Sequence, residues 1–396
     1  RNNAFELRYV GTRGVGLFQT VNRNPDISRL YNGFSVTIGN TTFNFPAFRQ
    51  FIPQGITPLT CTDNPNTPDN EGVCNGRILQ QGLLRSRENT AQSTYHSLQT
   101  YYNGRLFNQL NLTVSYTWSK ALDNASEIFA FGEQATSQNP FDLNKLEKSI
   151  SGFDRRHALS LSYIWELPFF REQRGFIGQT LGGWQISGTY FLGSGRPFTA
   201  SQQLNSLLGT RSYVDNTFNL TFFGNWDNVR PFTGNPKADP RSAAITDIDA
   251  ALRGLTNGYV PSPTGFYSLN AFNQGRGAVP VSINDVRFII NGPGAAMRFG
   301  TPFGTEPRNS LRGPILNQLN LSIFKTFAIP ENIKLQLRLE MFNALNHPNP
   351  GAGTASGDSI PPGNGLFVDF AGSTFNERGE FTYARRIIQL GMRLIF

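Results

Sequence analysis

Residues 333–345 read IKLQLRLEMFNAL: Ile333, Leu335, Leu337, Leu339, Met341 and Leu345 fall on odd positions, Lys334, Gln336, Arg338 and Glu340 on even ones. A period of two belongs to a β-strand, whose successive side chains point to opposite faces. The run is also long. Soluble strands have a mode of about 5–6 residues, whereas about 9–11 tilted residues cross a bilayer. Residues 319–327 repeat the pattern, with Leu319, Leu321, Ile323 and Phe327 against Asn320, Ser322 and Thr326. A short link around Pro330, Glu331 and Asn332 makes the two runs an antiparallel hairpin.

The same alternation recurs outward from this hairpin. Leu110, Leu112, Val114, Tyr116 and Trp118 alternate with Asn111, Thr113, Ser115, Thr117 and Ser119, and their partner is expected over 95–102, linked through Asn103, Gly104 and Arg105. Further runs are His157, Leu159, Leu161, Tyr163 and Trp165, then Trp184, Ile186, Gly188, Tyr190 and Leu192. Phe5, Leu7 and Tyr9 mark an early strand, and Ile388, Leu390, Met392, Leu394 and Phe396 the last one. About eight long strands are predicted. Connections after residues 103, 166 and 328 are short or moderate; those near 13–92, 120–154, 194–316 and 346–384 are long. Transmembrane barrels place short turns in the periplasm and long loops outside, so the C-terminus is expected in the periplasm. Loops of this length are uncommon unless functional.

Composition agrees with a turn-rich β protein. Charged residues are 16% and aromatics 13% of the 396 residues, with 40 Gly and 24 Pro. Charge is thus well under the roughly 25% usual for soluble domains. Mean hydropathy is -0.32, and no apolar stretch is long enough for a helical span. Alternating barrel strands keep mean hydropathy low even with one face in lipid. The sequence begins at Arg1 with no secretory signal, and reads as the C-terminal part of a longer exported protein.

Alternation alone also fits a soluble sandwich or propeller with one buried face. Strand length favours the membrane, as do aromatics at strand ends: Trp118 near an outer end, Trp165, Trp184, Tyr101 and Tyr102 near inner ends, where interfacial girdles sit. Trp226 alone among the tryptophans lies in a long loop. Lys334, Gln336, Arg338 and Glu340 would be costly in a small dry core and are expected to face a wet lumen, contacting solute or whatever occupies the lumen, or forming a ladder of charge pairs.

No motif carries catalysis. Phe153-Asp154-Arg155-Arg156-His157 holds acid, base and imidazole but no nucleophile set; Asp154, Arg155 and Arg156 are expected to pair with each other at the barrel rim. GTRGVG at 11–16 lacks phosphate-loop spacing, and His96, His157 and His347 show no metal-ligand spacing, so neither cofactor nor metal is implied. Cys61 and Cys74 flank a polar turn-rich stretch and read as a loop-stapling disulfide, two free thiols being the alternative. The net charge of +8 is dispersed; basic strand ends facing anionic headgroups explain it, and nucleic acid is not an expected partner.

Several segments taken in order resemble a known family: YVGTRG (9–14), TYHSLQ (94–99), VSYTWSKALDNAS (114–126), FDRRHALSLSY (153–163), LGGWQISGTY (181–190), RNSLRGP (308–314) and LRLEMFNALNHPN (337–349). The chain is similar to the TonB-dependent receptors, particularly the Oar-like barrels that carry a carboxypeptidase-regulatory-like N-terminal domain in Acidobacteria. The resemblance implies an all-β transmembrane barrel of 22 strands, of which these are the C-terminal arc. It also implies an N-terminal plug and a TonB-contacting segment outside this sequence, and export to the outer membrane of a Gram-negative-type bacterium. Met392, Leu394 and Phe396 would be read by the barrel assembly machinery. Solute uptake is the activity implied for the intact parent, with adhesion or surface export as the alternative role.

Overall fold

The computed structural model describes residues 3–23, 28–57, 61–62, 73–74, 77–78, 85–126, 137–145, 147–200, 230–328, 333–349 and 385–395. Eight long antiparallel strands follow one another in a single sheet: β1 (Ala4–Asn22), β2 (Arg85–Leu106), β3 (Leu110–Asp123), β4 (His157–Glu166), β5 (Trp184–Gly193), β6 (Leu316–Ala328), β7 (Lys334–Phe342) and β8 (Ile387–Ile395). Each pairs with the next in sequence, and Ser149–Ile150 adds a short ninth strand beside the end of β3.

The register resolves the two faces, because directly paired residues share one. Phe5, Tyr102, Val114, Leu161, Tyr190 and Leu319 form one apolar row across six strands. Ile186, Ile323, Leu339 and Leu390 form another. On the opposite face Asn103, Thr113, Ser162, Thr189 and Asn320 align, as do Ser187, Ser322, Glu340 and Gln389. Tyr101 belongs to this polar face, level with Glu6 and Ser115. Consecutive residues of a strand cannot share a side, so of the two tyrosines expected in a girdle only Tyr102 lies with Trp118, Trp165 and Trp184 on the apolar face.

β1 and β2 run well into the segment 13–92 that the sequence leaves as loop, with pairing continuing to Asn22 opposite Arg85. Gly14, Gly16, Gln19 and Thr20 erase the apolar alternation there, and two register shifts, at Val15/Leu17 and Leu17/Gln19, break its period. β3 likewise extends to Asp123. The link around Pro330, Glu331 and Asn332 lies outside the described residues.

The buried core is not under the sheet. Leu390 and Met392 are 80% and 74% exposed, and Phe5, Leu7 and Tyr9 are exposed as well. The largest fully buried apolar side chains, among them Phe232, Ile245, Phe288, Ile289 and Phe303, sit in the connections. Periodicity could not separate a membrane sheet from a soluble one; an apolar face that is largely uncovered among the described residues does, since a soluble sheet buries that side.

Candidate functional site: the loop platform

A meander of antiparallel strands sends alternate connections to opposite ends. The long connections β1–β2, β3–β4, β5–β6 and β7–β8 therefore emerge on one side, and the shorter β2–β3, β4–β5 and β6–β7 connections on the other. The β5–β6 connection builds a structured unit: short strands Phe232–Thr233, Phe288–Ile289, Ala243–Thr246 and Phe266–Ser268 lie side by side, one pairing parallel and two antiparallel. Helices Asp247–Leu252, Leu269–Asn273 and Pro293–Phe299 pack on them. Thr246 and Ser268 cap the first two through side-chain oxygens that accept from Asp249 and Ala271 N–H groups. The Asp249 carboxylate accepts from the Gly294 and Ala295 N–H groups, both at 2.8 Å, tying the first helix to the start of the third. A Cβ at position 292 would stand 2.5 Å from that carboxylate, so glycine is required there.

A second connection packs into the same body. Leu30, Phe45 and Phe48 of the β1–β2 connection share a buried cluster with Ala296 and Phe303 of β5–β6, and Phe141 of β3–β4 packs against it.

Charge joins these pieces to the sheet rim. Arg230 meets Glu147 in a bidentate pair, Nη1 to Oε2 at 2.8 Å and Nη2 to Oε1 at 3.1 Å, with both side chains almost completely buried. Gln138 N–H donates to Glu147 Oε1 at 2.9 Å, and Gln138 Oε1 accepts from the backbone N–H of Arg230 and Gly304. Burial alone would raise the Glu147 pKa; the Arg230 charge and hydrogen bonds, the Gln138 N–H and the Arg308 charge outweigh it and hold the carboxyl below its ordinary value. Arg308 reaches the Asp123 carboxylate at the end of β3, donates to Asp123 O at 2.9 Å and Ser126 Oγ at 3.1 Å, and lies 3.9 Å from Glu147.

The FDRRH segment takes part, though not as a closed pair set. Asp154 accepts from Ala121 N–H at 2.7 Å and pairs with Arg312 of the β5–β6 connection; Arg156 is 4.0 Å away, while Arg155 donates to Ser194 O. Asp154 thus fastens that connection to the rim. His157 and His96 sit on the apolar face, each bonded to a tyrosine hydroxyl: Tyr116 at 2.8 Å and Tyr9 at 2.7 Å. Three of the segments quoted above, 114–126, 153–163 and 308–314, therefore meet in one polar junction.

Two adjoining rim cavities open beside this junction, about 430 and 340 Å³ in volume. The larger is bordered by Val15, Gly16, Asn89 and Phe141–Asn144, the smaller by Arg13, Ser93, Asp123 and Lys148, and Gln92 borders both. No group of three or more potential metal ligands occurs among the described residues.

Lys334, Gln336, Arg338 and Glu340 share the polar face of β7, with Arg338 Nε donating to Gln336 Oε1 at 2.8 Å. They begin at the short-turn end, away from the platform. Backbone pairing of Cys61–Thr62 with Val73–Cys74 sets Cys61 directly opposite Cys74. Met392 and Leu394 lie on the apolar face of β8; Phe396 and Trp226 lie outside the described residues. Glu147, Arg230 and the packed platform carry no periodic signal, so the sequence did not mark them.

A family model described as outer membrane beta barrel domain matches residues 1–389. No curated protein and no solved structure matches the chain.

Proposed function

The chain belongs to the outer-membrane β-barrel family, and from that premise we propose that it forms the C-terminal wall and outer loops of a TonB-dependent receptor of the Oar-like type. The intact receptor would take up a scarce solute such as a siderophore, carbohydrate or peptide-like compound. One observation carries this proposal: among the described residues, three of the long connections on one side, β1–β2, β3–β4 and β5–β6, are built into a common folded platform with its own buried core and ionic latch. Barrel loops that only shield a rim need no such core; a fixed arrangement of loops holds a binding surface at the entrance.

In this role the platform faces outward, the short turns and the C-terminus face the periplasm, and the apolar face meets outer-membrane lipid. Lys334, Gln336, Arg338 and Glu340 line the lumen toward the plug. Trp118, Trp165, Trp184 and Tyr102 serve the interfaces, and Met392, Leu394 and Phe396 guide insertion by the assembly machinery. The chain has a transport role, not a catalytic one. The pattern of the sheet supports an arc of a larger barrel: among the described residues β1 and β8 pair with each other nowhere.

Depletion of solutes from a complex medium tests the proposal. Wild-type cells should remove at least one solute that cells lacking this gene, or lacking TonB, leave behind. Identical depletion by all three, with a defect only in attachment or surface material, would establish the adhesion or export role instead.

A further inference from the structure

Position 325 breaks the apolar alternation of β6. Pairing with Trp184 and Leu337 puts Lys325 on the apolar face, yet it is only 4% exposed. The cover is the β4–β5 connection. Lys325 Nζ donates to the carbonyls of Gln179 and Gly182, at the end of helix Gly175–Leu181, and lies 5.5 Å from the Trp184 ring centroid and 4.7 Å from that of Phe327. Trp184 Nε1 donates to Thr180 O at 3.0 Å, and Gln173 Nε2 to Thr326 O at 3.0 Å. The connection is therefore folded back against the apolar side of the sheet at its short-turn end.

Gly183 lets it come close, since a Cβ there would stand 2.4 Å from Thr326 O of β6, and Gly178 and Gly182 let the connection fold tightly on itself. A Cβ on Gly182 would stand 2.0 Å from Phe170 O, and one on Gly178 would stand 2.9 Å from the Gln173 carbonyl carbon. Gly178 and Gly182 are buried, while Phe176, Ile177 and Leu181 remain exposed. Phe176 is 85% exposed; Ile177, Leu181, Phe169 and Phe170 are exposed as well. The exposed Arg171 and Arg174 lie beside them, Arg174 paired with Glu172 at 3.0 Å.

We propose that the β4–β5 connection is an interfacial anchor, its helix lying in the headgroup region of the periplasmic leaflet with Phe176, Ile177 and Leu181 inserted among phospholipid chains. Three observations select lipid as the occupant. The exposed apolar side chains belong to a connection that packs against the lipid-facing side of the sheet. The carbonyls of Gln179 and Gly182 solvate the ammonium of Lys325, which this side would otherwise present to hydrocarbon, where an uncovered cation is costly. Arginines stand at the edge of the apolar set, where lipid phosphates lie. The inference rests on the apolar face meeting lipid.

The experiment places nitroxide labels on the intact parent protein, in a cysteine-free background that includes Cys61→Ser and Cys74→Ser, in vesicles of phosphatidylethanolamine and phosphatidylglycerol. Phe176→Cys and Ile177→Cys report on the anchor and Leu390→Cys on the sheet face. Labels at 176 and 177 should collide with oxygen in preference to a water-soluble nickel chelate, at a depth of about 5–10 Å. Nickel-dominated collisions at 176 and 177 with a lipid-exposed 390 would overturn the anchor alone. Water exposure at all three sites would overturn it together with the membrane face. Immobile labels at 176 and 177 shielded from both probes would show a protein occupant and equally overturn the proposal.

Discussion

Glu147 and Arg230 stand 83 residues apart in the chain and nothing local announces them, yet they form the most enclosed ion pair of the platform. Removing one partner of a buried pair leaves an uncompensated charge and costs about 3–5 kcal/mol, whereas replacing both with apolar groups of similar size costs far less. Glu147→Gln should therefore loosen the platform, seen as faster amide exchange over 230–306 with the sheet unchanged, and Glu147→Met with Arg230→Met should restore much of the protection. Protonation acts on the same atom. The Glu147 carboxyl is held below its ordinary value of 4.5, so its stabilisation is complete above that pH and is lost as pH falls through the lower folded value. Protection of the platform amides, relative to intrinsic exchange at each pH, should fall in that acid window in the wild-type chain and change less in Glu147→Gln. Equal acid sensitivity in both would remove Glu147 as the titrating group.

Strands obey a coarser rule, set by which face meets which solvent. An arginine near the bilayer midplane on the lipid side costs about 2–4 kcal/mol, while lumen positions tolerate polarity. Leu390→Arg should thus lower the folded fraction in vesicles, measured by heat-modifiable migration, and Ser162→Arg should leave it near the parent value. This face pattern was legible: the alternation in 333–345, 319–327 and 110–119 gave strand, partner and side directly. Where side chains did not alternate, the sequence was silent. Gly14, Gly16 and Gln19 hid the upper half of β1, and Lys325 looked like a simple gap until its carbonyl partners were placed. The platform strands are too short for any period, and their core, such as Phe232 beside Ile289, comes from segments distant in the chain. The cysteines belong to this scale too. With Cys61 opposite Cys74, a bond closing a loop of this size contributes about 3 kcal/mol. Intact mass after alkylation should show no added label until reductant is present; two labelled thiols without reductant would exclude the staple.

At the scale of the molecule the governing requirement is closure. β1 and β8 each pair on one side only among the described residues, and an unpaired strand edge in hydrocarbon leaves N–H and C=O groups without partners at several kcal/mol apiece. Two arrangements satisfy those groups. Further strands of the same protein can continue the sheet from both edges, or the two edges can meet and close an eight-stranded barrel, a size whose interior side chains alone can fill. The polar face argues against the second. Its Ser, Thr and Asn rows leave a hollow of about 370 Å³ among Thr113, Ser162, Thr189 and Asn320, and the platform spans several connections above it. A wide lumen accommodates both features. Purified alone in detergent, the 44.0 kDa chain should run above monomer mass by light scattering, because its edges recruit other copies. The intact parent, its edges occupied by its own strands, should run as a monomer. A stable 44.0 kDa species with slow exchange at Leu7 and Leu390 would mean that β1 and β8 join, and the arc would have to be abandoned for a small closed barrel.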